Sequence, residues 1–220
     1  MEGNTILLPL AAPSPETVSR SLADSFGQDR ACDLYCEIAR ASYAAAKAVR
    51  GVRTVLSYLP NSRYPDLRWL DEEDPGFLNQ KGATSGERFY NAAKWCLEAG
   101  STGVLVLSPY APGVPEQWLR DAFEKLKSTQ LVLGPAQDGH CYLLALSAPL
   151  PFLAEYPWEG RDTRDELVEQ AKRLRIEPAI LPEFYEVKDE ASYRKWQASL
   201  AKSEAFPSQK TEPKRKSENA

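Results

Sequence analysis

Asp138 and His140 sit in the stretch Gly134-Pro135-Ala136-Gln137-Asp138-Gly139-His140, which places a carboxylate beside the only histidine of the chain. Its glycines and proline let the backbone bend sharply and come close to a ligand. Asp138 could there meet a metal, a ribose hydroxyl or a backbone amide. An Asp-Gly pair is equally a common hairpin turn that needs no ligand. Any histidine chemistry falls to His140, as a base or as a metal ligand beside Asp138. Cys141 follows it, but adjacent strand residues point to opposite faces, which excludes a Cys-His dyad. Cys32 and Cys36 share a helical face, yet no second pair accompanies them, so no metal site is expected there. Trp158 ends an aromatic loop and could stack on a base or sugar, or simply fill the core. No Ser-His-Asp order, P-loop or zinc spacing is present.

The elements that must position these groups follow from the apolar patterning. Val132 and Leu133, then Tyr142 to Leu146, form short continuous apolar runs, as in strands covered on both faces. They predict two buried strands joined through Asp138 and Gly139. Thr5 to Leu10 reads as a first strand. Ser14 is then a predicted N-cap and Pro15 a first helical residue, with Val18, Leu22 and Phe26 on one face before Gly27. Doubly wound folds bind phosphate at such a strand-to-helix loop, but here it lacks glycine and carries Glu16. Helices are predicted over Asp29–Val49, from Thr84 or Ser85 to Ala99, and from Pro115, the last with Trp118, Leu119, Ala122 and Phe123 inward. Further helices follow the spacings of Leu167, Ala171, Leu174 and of Tyr193, Trp196, Leu200. Val52–Tyr58, Gly103–Leu107 and Glu177–Leu181 read as strands. Leu59 to Ala83 is long and polar, with Trp69 and Phe77, and reads either as a lid over the sheet edge, on which its aromatics would pack, or as a flexible loop.

Size and charge narrow the classes. The chain has 220 residues with a formal charge of −4 and a pI near 5.3, enough for one domain over residues 1–201. From 202 to 220 the apolar pattern stops, and Lys, Pro and Ser predict a disordered basic tail. Its Pro213-Lys214-Arg215-Lys216 could touch an acidic partner or serve solubility. The acidic body argues against nucleic acid as a partner. No apolar run approaches the ~20 residues of a membrane span, and the opening residues look like a strand rather than a signal peptide. Four cysteines in this length make no disulfide framework. The expected location is the cytoplasm.

The stretch GPAQDGHCYLLAL resembles the GPAxDGGYYLIGL signature of a bacterial glycosyltransferase-A-like family of small candidate transferases, linked by name to arsenosugar biosynthesis. Ala12-Pro13-Ser14-Pro15 is similar to that family's APxPG, Gly86-Glu87-Arg88 to its LGER, and Ala111-Pro112-Gly113-Val114 to part of its DCPGL. Pro157-Trp158 matches its PW. The resemblance spans roughly residues 5 to 190. It implies an α/β fold of three α/β/α layers with a mostly parallel central sheet, that of the nucleotide-diphospho-sugar transferases (glycosyltransferase-A-like, Rossmann-like).

The same resemblance implies a site. Asp138 would be its catalytic candidate, joined by His140 on the separate ground that it is the only histidine of the chain. Arg20, Glu87, Arg88, Tyr110, Gly139 and Trp158 would lie against a nucleotide-sugar donor, and Asp138 with Glu186 would hold Mg²⁺ or Mn²⁺. Glu87 and Arg88 are alternatively a charged first helical turn facing solvent. The hard dication is what the chemistry needs to neutralise a departing diphosphate. Four residues depart from the family's pattern: Glu16 and His140 replace glycines, and Tyr110 and Lys188 replace aspartates. Two readings therefore stand side by side. One is a glycosyltransferase-like protein, using a nucleotide sugar or other small phosphorylated ligand, with a degenerate metal and diphosphate site. The other is a non-catalytic relative, needing no cofactor, that binds a ligand or a protein partner. A cofactor-guanylylating nucleotidyltransferase would need a glycine-rich basic first loop, which is absent.

Overall fold

The structure, a computed structural model, describes residues 3–155 and 163–205. Trp158 lies outside the described residues, as do 206–220. Seven strands form one sheet in the order β3-β2-β1-β4-β6-β5-β7. They are β1 (Gly3–Ala11), β2 (Arg53–Leu59), β3 (Phe77–Asn79), β4 (Ser101–Leu107), β5 (Leu131–Pro135), β6 (Cys141–Leu146) and β7 (Ala179–Ile180). All pairings are parallel except those of β6, which runs antiparallel between β4 and β5.

The continuous apolar runs have the expected cause, since both faces of the sheet are covered. Ile6, Leu8 and Leu10 point to one side and Leu7 to the other. On the first side pack α2 (Gln28–Ala48) through Leu34 and Ile38, and α4 (Glu116–Lys125) through Leu119, Ala122 and Phe123. On the second side pack α3 (Ser85–Glu98) through Ala92, Ala93 and Cys96, and α5 (Thr163–Arg173) through Leu167 and Ala171. α1 (Arg20–Phe26) and α6 (Glu190–Ala205) complete the first side, with Leu22 and Trp196 buried. The three-layer α/β/α arrangement agrees with the sequence reading. No described helix is long and apolar enough to cross a membrane.

Several local expectations need correction. Ser14 caps no helix. Its carbonyl accepts from the Thr17 and Val18 N–H groups at 3.0 and 3.1 Å, closing a single turn, and the helix begins only at Arg20. Leu174 and Leu200 are 54% and 41% exposed rather than core-facing. The segment after β2 is part of the body and supplies edge strand β3, with Leu67 and Leu70 buried and Trp69 against the rings of Tyr35 and Tyr58. The last helix runs past Lys202 to Ala205.

Candidate functional site

Four loops meet where the parallel strands end: residues 12–19 after β1, 108–115 after β4, the β5–β6 turn over 136–140, and 181–189 after β7. Backbone hydrogen bonds stitch them together. The Val187 N–H donates to the Tyr110 carbonyl at 2.7 Å, and the Gln137 N–H to the Phe184 carbonyl at 3.0 Å. Ala136 and Phe184 add a parallel bridge, so the β5–β7 pairing continues beyond the strands themselves.

The β5–β6 turn forms because Gly139 takes φ +87°, a conformation costly for other residues. Its carbonyl accepts from the Arg164 N–H at 3.1 Å, so Gly139 holds the start of α5. Asp138 is thereby aimed at the loop after β7. Its Oδ2 lies 3.3 Å from Lys188 Nζ, while its Oδ1 accepts from the His140 N–H at 3.2 Å. Burial opposes the Asp138 charge, yet Lys188 and His140 outweigh it and hold the carboxyl below its usual range. His140 Nδ1 is 3.3 Å from Asp138 Oδ1 but out of line for a hydrogen bond, and it is a buried atom with no such partner.

Glu186 is buried, with its side chain 4% exposed. One of its oxygens receives the Ser108 hydroxyl, and the other lies 2.5 Å from Lys188 Nζ. Burial works against the Lys188 ammonium too, but Glu186 and Asp138 together raise its pKa. The Lys188 backbone is fixed on both sides: its N–H donates to Ser192 Oγ and its carbonyl accepts from Ser19 Oγ, both at 3.1 Å. Asp189 accepts the Ser192 N–H at 2.8 Å and so opens α6.

Tyr110 fills the remaining space. Its ring packs 5.4 Å from that of Tyr35, and its hydroxyl accepts from the Ser19 N–H at 3.0 Å. Burial pushes the phenol well above its usual pKa, so it stays neutral. Beside these groups lies a cavity of about 330 Å³, walled by Gln137, Asp138, Tyr185, Lys188, Asp189 and Lys195. Lys195 Nζ stands 4.3 Å from the centre of the Tyr185 ring and 3.2 Å from Gln137 Oε1.

The sequence candidates therefore divide. Asp138, Gly139, His140, Tyr110 and Glu186 come together at one rim. Glu87 and Arg88 start α3. Glu87 closes a capping box with Thr84, its carboxylate accepting from the Ala83 N–H at 2.6 Å. Arg88 borders a separate cavity of about 210 Å³ with Leu7, Pro9, Ser57, Gln80 and Phe89. Arg20 is exposed at the first residue of α1. Ser19, Ser108 and Lys195 were not singled out from the sequence, because no local signal marks a residue that matters only through another loop. Asp189-x-x-Ser192 does carry such a signal, as a helix start.

The residues present do not fit a divalent cation. Among the described residues no group of three or more His, Cys, Asp or Glu is arranged to hold one. The two carboxylates of the rim already share an ammonium that stands between them, so a dication could reach both only by displacing Lys188.

A family model described as "Uncharacterized protein conserved in bacteria (DUF2064)" matches residues 42–159. No curated protein matches the chain in sequence. Among solved structures, a candidate nucleotide-diphospho-sugar transferase from Desulfovibrio desulfuricans G20 is similar at 23% identity and TM-score 0.76, over 92% of this chain and 96% of that one. The 4-diphosphocytidyl-2C-methyl-D-erythritol synthase of Anaerococcus prevotii DSM 20548 is similar at 11% identity and TM-score 0.61, over 91% and 99%. A CMP:2-keto-3-deoxy-manno-octonic acid synthetase complexed with CTP follows at 11% identity and TM-score 0.56, over 90% and 98%. At these identities the likeness is one of fold, the glycosyltransferase-A-like fold of nucleotide-diphospho-sugar transferases.

Proposed function

This chain belongs to the bacterial family DUF2064, and from that premise we propose that it is a transferase-like relative with a degenerate metal and diphosphate site, acting as a binding module without turnover. One observation carries the reading. The Ser19 N–H, in the loop where a doubly wound fold would receive a phosphate, is already held by the Tyr110 hydroxyl at 3.0 Å. The loop has closed on an internal oxygen, and the exposed Glu16 beside it repels a phosphate further. α1 adds little, since its seven residues leave it short of a useful dipole.

What the fold retains for a ligand is the cavity at the start of α3. Leu7, Phe89 and Ala92 give it apolar walls, and Arg88 and Gln80 give it polar edges, a composition suited to one flat ring with hydrogen-bonding atoms. The ligand class is accordingly a nucleoside or the nucleoside end of a nucleotide sugar, bound without a metal.

The test is thermal shift of the full chain with nucleosides, nucleoside diphosphates and nucleotide sugars, each with Mn²⁺ or EDTA. Nucleosides are expected to stabilise as well as their diphosphates, equally with and without Mn²⁺, and Arg88→Ala is expected to weaken them at least tenfold. A ligand at ~100 times its dissociation constant adds about 2.7 kcal/mol. That gain seen only for a nucleotide sugar with Mn²⁺ would overturn the reading in favour of a metal-dependent transferase.

A further inference from the structure

Asp138 and Glu186 belong to different loops, and one group reaches both. Lys188 Nζ stands 3.3 Å from Asp138 Oδ2 and 2.5 Å from Glu186 Oε2. Each carboxylate spends its other oxygen on a protein donor, the His140 N–H for Asp138 and the Ser108 hydroxyl for Glu186. Every oxygen of the pair thus already has a donor within the protein, and an outside cation would have to compete with Lys188 for them. The backbone that carries the lysine is held by Ser192 and Ser19, so the side chain starts from a fixed point, and it is only 32% exposed.

We propose that the Lys188 ammonium is the resident cation of this rim, standing where a divalent ion would otherwise bridge Asp138 and Glu186. The rim is thus assembled without metal. One physical argument separates this from an ordinary surface pair. Glu186 is almost wholly removed from water, and a buried carboxylate requires a partner charge or strong donors. A dication would serve both acids at once. The ammonium serves the same two acids from within the chain, but with one positive charge against two negative ones. The rim thereby keeps a residual negative field, which disfavours a diphosphate and admits a neutral or cationic group. The inference is independent of the nucleoside cavity beside Arg88, so either can fail alone.

The test titrates Mn²⁺ into the full chain and follows the free-ion signal by electron paramagnetic resonance. The unmodified protein is expected to leave the signal unchanged at equimolar protein, and its melting temperature is expected to be the same in Mn²⁺ and in EDTA. Lys188→Ala is expected to capture Mn²⁺ at least tenfold more tightly, and Asp138→Asn added to that variant is expected to abolish the gain. Mn²⁺ capture by the unmodified chain that is lost in Glu186→Gln would overturn the proposal. So would a folded Lys188→Ala protein that binds no more tightly than the parent. Lys188→Gln, which keeps a donor against Glu186 without the charge, repeats the comparison if the alanine variant does not fold, and Mn²⁺-dependent folding of the alanine variant would itself support the assignment.

Discussion

Glu186 depends on its neighbours more than any other charge at the rim, and the cost of removing one of them can be stated. Lys188→Ala is expected to lower the unfolding free energy by about 2 kcal/mol, less than for a fully enclosed pair because Lys188 is itself 32% exposed. Urea denaturation measures this, and a loss under about 0.5 kcal/mol would mean that the pair behaves like a surface contact. Asp138 sets a pH dependence. Its folded-state carboxyl titrates below its ordinary value, so it adds stability above the unfolded-state pKa of ~3.9. That contribution is lost as pH falls through the lower folded value. As pH falls below about 4 the parent should therefore lose stability more steeply than Asp138→Asn; parallel slopes would place Asp138 outside the cluster. Gly134 marks a different constraint. A Cβ there would lie 2.6 Å from Tyr142 Cζ and 2.9 Å from Leu143 Cβ. Gly134→Ala should thus cost about 1–3 kcal/mol through overpacking, read by the same denaturation.

At the level of elements, legibility followed signal length. α2 carries a long run of apolar spacing and lies within a residue of its expected bounds at both ends, and the shorter α4 starts one residue after the expected Pro115. The cap of α3 was legible to within a residue, as Thr84 or Ser85, and the structure decides for Thr84, which forms a capping box with Glu87 and makes both of its bonds. Thr84→Ala should cost about 1 kcal/mol, with a matching loss of helical circular dichroism on heating. The start at Ser14-Pro15 misled for a reason found elsewhere in the chain. Ser19 adopts ψ 127°, an extended conformation, while its N–H is held by Tyr110 and its hydroxyl by Lys188. Those long-range contacts stop the turn from growing into a helix. β3 escaped notice because three residues are too few to show a period of two.

For the whole molecule, the fold was legible from buried runs and from the motifs along the chain, while the site was legible only in part. Asp138 and Glu186 could be nominated one at a time. That Lys188 joins them could not, since its sequence position shows a charge reversal and says nothing of which loop it faces. Packing on both sheet faces gives a global check through the thiols. Burial pushes Cys36 and Cys96 up to about 11 and Cys141 to about 12, so few of them are thiolates near neutrality. Native protein at pH 8 should be alkylated first at Cys32, whose pKa is raised less, more slowly at the partly exposed Cys36 and Cys141, and at the buried Cys96 at a rate that tracks unfolding. Mass spectrometry after timed labelling decides, and fast modification of Cys96 would contradict the packing beneath α3. The bridge between Ala136 and Phe184 has a last consequence. Because the turn bearing Asp138 and the segment bearing Glu186 are fastened to each other, they travel as one plate. A visitor that parted those acids would have to break this bridge and the Gln137–Phe184 hydrogen bond as well, so a guest whose shape leaves both intact is favoured.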